Sequence, residues 1–308
     1  MIYDEYDYYD ILTGVMKMGI RQFKADILID RKFLLAEGPA YIKESNTLLF
    51  VDISAGRLYL YDLKTGETDS ICTGQHVGAA VPAKSGQYLT AMTTGLYLVE
   101  KHRMELIYRP EELTCNLRLN DAKCGPDGRF LFGTIPLFYD TFEHGSLFSL
   151  EPGGACRKLD AVPYISNGMA WSADGKTFYY NDSATKGVDA FDYDIHTGNI
   201  STRRRIHTSE HTPDGMTIDK EGMLWVALWG GHKVIRVDPS NGEVIAEVPV
   251  PAENVTSCCF GGPDHKTLFI TTSGEWDDKN PGAGRVFVVQ TDVTGMESVI
   301  FDDSFWCE

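Results

Sequence analysis

The chain has 308 residues, 43% of them hydrophobic, and a formal net charge of −16 from 28 Lys and Arg against 44 Asp and Glu. Such acidity argues against nucleic acid or an anionic membrane as a partner, since both would be repelled. No run reaches the ~18 apolar residues of a membrane span, and MIYDEYDYYD lacks the basic and apolar regions of a secretory leader, so no membrane and a cytoplasmic location are expected.

Residues 1–22 read as an N-terminal extension, with Tyr6, Ile11, Leu12, Val15, Met16 and Ile20 at rough helical spacing. A strand is expected near Ile27–Ile29. A repeated unit follows: a strand ending in a small residue, a Gly, a second apolar strand and a closing turn. Leu48–Asp52 with Gly56–Asp62 is the first copy, and Tyr88–Ala91 with Gly95–Val99 is the second. The third is Pro126–Gly133 with Gly145–Leu150. The fourth runs from Ile165 to Asp194 and contains three apolar runs: Met169–Trp171, Thr177–Tyr180 and Val188–Tyr193. Its turn Ala173-Asp174-Gly175-Lys176 needs a left-handed residue, which Gly175 supplies. Gly222–Ala227 with His232–Asp238 is the fifth copy, and Thr267–Thr271 with Gly284–Val289 the sixth.

Between Gly56 and Gly284 the unit recurs at roughly 46 residues, the spacing of four-stranded propeller blades. The expected fold is all-β, a six-bladed β-propeller with four-stranded blades over residues 23–308. The strand near Ile27 would complete the last blade and close the ring. Seven Cys without a Cys-x-x-Cys pair fit reduced, mostly buried thiols, with adjacent Cys258 and Cys259 facing opposite sides of one strand.

In a propeller, the segments that precede the innermost strands converge on one mouth of the central channel. Glu37 (in AEGPA), Asn120 (RLND), Asn167 (SNG) and Asp214 (PDGM) all occupy such positions. Two carboxylates and two amides offer only oxygen, which suits a hard divalent cation and not a structural zinc site. Any one of them alone would read as an ordinary turn or loop residue. Their recurrence at one phase of the repeat makes the case. His207 and His211 read as solvated loop residues. Trp229, after a strand end, either lines the pocket or packs in the core.

The segments AEGPAY, LLFVDI, RLNDAK, ISNGMAW, AFDYDIHTG, PDGMTID, GMLWVAL and TSCCFGG, in this order over residues 36–290, resemble the regucalcin and gluconolactonase family. The resemblance implies a six-bladed propeller with one divalent metal, held by Glu37, Asn167 and Asp214. Calcium leads, with Zn, Mn or Mg as alternatives. It implies that Asp214 is also the acid/base residue and that Arg118 and Asn120 contact substrate. The implied activity is hydrolysis of small lactones, with sugar-acid lactones first. Where regucalcin carries a Glu shortly after a GTM segment, this chain has Gly133-Thr134-Ile135-Pro136-Leu137-Phe138, so a more apolar rim is expected, and a preferred sugar-acid or small hydroxylated lactone with fewer, or differently arranged, hydroxyls than gluconolactone. Two other functions share the same site: a calcium- or ligand-binding propeller without turnover, and a phosphotriester hydrolase. The sequence leaves the oligomeric state open.

Overall fold

Short apolar strands separated by tight turns build six antiparallel sheets in a computed structural model that describes residues 20–137, 143–159 and 163–306. Each sheet is a blade. The innermost strands are Ala36–Ile42, Val77–Pro82, Leu117–Cys124, Ser166–Trp171, Thr212–Ile218 and Val255–Gly261. Each packs on the next, and the last returns to the first, closing the ring. The fourth blade continues outward through Thr177–Asp182, Gly187–Asp194 and Asn199–Thr208, so the three expected strands are present and a fourth is added. That outer strand includes His207, which is therefore in a sheet and not in a loop. Its Nδ1 lies 2.9 Å from the Gly242 carbonyl. Gly175 has φ +66°, as its turn demands.

The core is divided into six layers, one between each pair of neighbouring blades, because successive side chains of a strand point to opposite faces of its sheet. Met169 and Trp171 pack toward blade three, while Ala170 packs toward blade five. Likewise Cys258 joins the layer between blades five and six, and Cys259 the layer between blades six and one. The described cysteines are all free thiols. Burial pushes the Cys258 thiol up to about 12, which keeps it protonated and inert at neutral pH.

Both chain ends tie the ring. Asp26–Ile29 pairs antiparallel with Val286–Gln290 and supplies the outermost strand of blade six, as expected. Just before it, Arg21–Gln22 pairs in parallel with Val244–Pro249 and gives blade five a fifth strand. Residues 1–19 of the expected extension lie outside the described residues. At the other end, Gly295 bridges to Asp219 of blade five and Phe301 bridges to Ala83 of blade two. Blades two and five are opposite one another in a ring of six. The segment 295–301 therefore crosses the channel axis, and Met296–Val299 line a cavity there with Asp121 and Lys123. Among the described residues, no helix is long and apolar enough to cross a membrane.

Candidate functional site

Each innermost strand carries an irregularity at the same register. The pairing shifts between Glu37 and Ala40, Val77 and Ala79, Leu119 and Ala122, Asn167 and Met169, Pro213 and Met216, and Val255 and Ser257. An extra residue at a β-bulge twists the strand and re-aims a side chain. Glu37, Asn120, Asn167 and Asp214 sit at these bulges, inside the strands and not in loops ahead of them. Blades two and six place Val77 and Val255 at the same register, so four of six blades send in a polar group.

Six bulges can crowd one axis only where side chains are absent. A Cβ on Gly78 would come within 2.7 Å of the backbone Cα and O of Asn120 in the next blade. One on Gly168 would meet the Asp214 carbonyl at 2.4 Å. These glycines set how closely the functional strands approach.

The four residues line one cavity of about 390 Å³. All are buried, as is Arg118 in part. Leu35, Ile53, Ile135 and Ile165 form apolar walls, and Trp229 lines the cavity too. Trp276, which the sequence did not single out in this role, lines it as well. Phe138 falls outside the described residues. Glu143 accepts hydrogen bonds from Thr114 (2.9 Å) and Asn116 (3.2 Å) and is not among the lining side chains.

A chain of hydrogen bonds fixes the amides. Arg118 Nη1 donates to Asn120 Oδ1 at 2.6 Å. Asn120 Nδ2 donates to Asn167 Oδ1 at 2.7 Å and to the Ser166 carbonyl at 2.8 Å. Asn167 Nδ2 donates to Ser183 Oγ at 2.8 Å, and Ser183 donates to the Pro213 carbonyl at 2.7 Å. Both N–H groups of Asn120 are thus used within the protein, leaving only its oxygen to offer a ligand. The Asn167 amide is held at both ends, its nitrogen by Ser183 and its oxygen by Asn120, which leaves that oxygen one lone pair to offer a ligand. Ser183 was not legible in the sequence as part of the site. Two further carboxylates pin the chain leading into these strands: Asp52 accepts from Leu34 and Leu35 N–H, and Asp182 from Tyr164 and Ile165 N–H.

Glu37 accepts from the Gly38 N–H, which partly offsets its burial. Even so, burial first, and then the charges of Asp214 and Asp121, push the Glu37 carboxyl well above its usual range. Burial and then Asp121 do the same to Asp214, with Arg118 opposing. Three carboxylates in a low-dielectric channel form an excess of negative charge. Oxygen-only donors around that excess fit a hard cation. Among the described residues, no three His, Cys, Asp or Glu side chains gather as a ligand set; the oxygen-bearing side chains that line the cavity include Glu37, Asp214 and the amides of Asn120 and Asn167.

Comparison with known proteins places this geometry in context. The family model described as SMP-30/Gluconolactonase/LRE-like region matches residues 35–274. Regucalcin of Xenopus laevis is 37% identical over 281 residues, spanning 86% of this chain and 94% of that protein. Two solved structures superpose closely. A calcium-binding protein, regucalcin, from Agrobacterium tumefaciens gives a TM-score of 0.85 at 27% identity, covering 91% of this chain and 99% of the other. A luciferin-regenerating enzyme gives 0.84 at 29% identity, covering 90% and 99%. With the matched region spanning most of the propeller and every site residue named above except Trp276, the chain belongs to the SMP-30/gluconolactonase/LRE-like family.

Proposed function

We propose that this chain is a divalent-metal-dependent hydrolase of small lactones. The observation that carries the reading is the meeting of Glu37, Asn167 and Asp214 at the bulges of three strands around one buried cavity. Family membership supports it. Calcium is the first candidate because every donor is oxygen, with Zn, Mn and Mg as the alternatives that metal analysis would separate.

Glu37, Asn167 and Asp214 would hold the cation. When bound, it supplies Lewis-acid polarisation of a carbonyl oxygen and offsets the carboxylate charge. The rest falls to the chain. Asp214 takes a proton from the water that attacks the lactone carbonyl carbon and returns one to the ring oxygen as the ring opens. Arg118 holds a polar or anionic part of the substrate. Asn120 orients Asn167 and accepts from a substrate hydroxyl through its remaining lone pair.

Acid release from a panel of lactones, by protein as purified, after chelation and after readdition of each cation, tests this reading. About one cation per chain and cation-restored hydrolysis are expected. Binding of cation with no hydrolysis of any lactone would leave a binding protein. Hydrolysis unaffected by chelation would remove the metal from the scheme.

A further inference from the structure

Two indoles stand where the cavity opens. Trp229 ends the second strand of blade five, and Trp276 lies in the loop after the second strand of blade six. Their ring centroids are 5.9 Å apart with planes inclined by 56°, and both line the cavity that holds Glu37, Asn167 and Asp214. Trp276 is 73% exposed, more than any other large apolar side chain among the described residues. Its backbone has φ +59°, a conformation that bulky residues rarely adopt.

The surroundings hold it there. The N–H groups of Gly274 and Glu275 both donate to the Leu34 carbonyl at 2.9 Å. Ser54 Oγ donates to the Glu275 carboxylate at 3.0 Å. On the other side, Asp277 is 2% exposed and accepts from the Glu253 N–H and from Asn280 Nδ2, both at 2.8 Å. The two residues flanking Trp276 are thus fixed, and the indole between them is left facing water. An anchored loop that presents a large apolar ring at the mouth of a polar cavity is a preformed subsite. Inside the mouth, Leu35, Ile53, Ile135 and Ile165 offer no hydrogen bonds, so a hydroxyl lying against them would lose its water without a partner.

We infer that Trp276 and Trp229 form an outer subsite for an apolar substituent, and that the preferred substrates are alkyl- or aryl-substituted lactones, not rings with a hydroxyl on every carbon. The substituent would cover Trp276 and remove its face from water, while the lactone ring reaches the polar floor. This assignment rests on the lactonase reading for its chemistry, and on the cavity geometry alone for its shape.

The test compares metal-loaded wild type with Trp276→Ala and Trp276→Phe on γ-phenyl-γ-butyrolactone, unsubstituted γ-butyrolactone and glucono-δ-lactone. A second readout is indole emission on titration with the lactam analogue of the phenyl lactone, which resists hydrolysis. In wild type, kcat/KM for the phenyl lactone is expected to exceed that for the bare ring by ~10-fold or more, the scale for filling an apolar pocket. Trp276→Ala should remove most of that preference, while Trp276→Phe should retain it. The lactam should shift wild-type emission to the blue, and Trp276→Ala should abolish the shift. Preference for glucono-δ-lactone, with the same loss in Trp276→Ala, would replace the apolar substituent by a sugar face and overturn the proposal. Equal rates in all three proteins with no emission shift would also overturn it, while leaving the lactonase reading intact. If no lactone reacts but the Trp276-dependent shift remains, the subsite stands and the lactonase reading falls.

Discussion

At the scale of single residues, the site is a problem of charge. Glu37, Asp121 and Asp214 are all buried, and burial first, then the charge of Asp121, raises the protonation range of Asp214, while burial, Asp214 and Asp121 raise that of Glu37. Replacing Asp214 by Asn keeps the shape and one oxygen but removes a charge. Asp214→Asn is therefore expected to raise the melting temperature of the metal-stripped protein by about 1–2 °C, the response to roughly 1 kcal/mol in a chain of this size. It should also weaken the further rise on adding cation, and lower lactone hydrolysis by at least ~10²-fold. Thermal scans with and without cation, beside initial rates, check all three; a lower melting temperature without metal would mean that the carboxylate makes a stabilising contact instead. Glu37, Asn120, Asn167 and Asp214 were legible because they recur at one phase of a repeat. Ser183 and Asp121 were not, because a polar residue just past a strand end or within a bulge is commonplace and only the folded chain shows what it touches. Trp276 was hidden for another reason: nothing in Gly274-Glu275-Trp276-Asp277 announces a left-handed tryptophan.

At the scale of strands, the middle two of each blade were readable, whereas the innermost was read as a strand only in blades four and six and the outermost only in blade six. Thr177–Asp182 and Gly187–Asp194 are mostly buried between blades, and Phe178, Tyr179, Tyr180, Val188, Ala190, Phe191 and Tyr193 made them readable. The outer strand Asn199–Thr208 is largely exposed and carries Arg203, Arg204 and Arg205, which bind Asp189 and Asp192. Its polarity looks like loop, and only pairing with its neighbour defines it. The bulges were equally hidden, since an extra residue leaves no mark on composition. Their tight spacing gives a prediction away from the cavity. In Gly78→Ala the new methyl would press on the backbone of Asn120, which cannot yield like a flexible side chain. A loss of about 1–3 kcal/mol is expected, the usual cost of overpacking. Cation affinity should fall as well, because Asn120 positions Asn167. Chemical denaturation and calorimetric titration of the same preparation measure the two effects. Unchanged affinity with lowered stability would show that the strands shift together.

At the scale of the molecule, the period of the repeat was enough to count blades, and Ile27–Ile29 was enough to expect closure. The segment 295–301 was beyond reach, because it has no periodicity and its contacts are all distant in sequence. Its far end is pinned by Asp302, whose carboxyl a hydrogen bond from Lys84, and then one from Ser304, holds down to about 2. A carboxyl whose range lies lower in the folded chain than its ordinary ~3.9 contributes stability above that value and loses it as acid protonates the group. Amide exchange at Lys84 and Phe301, corrected for intrinsic rates, should accelerate as pH falls from about 4 to about 2, and the acceleration should be absent in Lys84→Ala. No step in wild type would show that the pin lies elsewhere. This crossing segment also bears on traffic. With chain laid over one end of the axis, arriving lactone and departing hydroxy acid would, on the proposed lactonase reading, share the opposite mouth. The acid should then compete with the lactone for the same passage, raising KM and leaving kcat unchanged in product-inhibition kinetics. A fall in kcat would reveal a back exit beneath the strap.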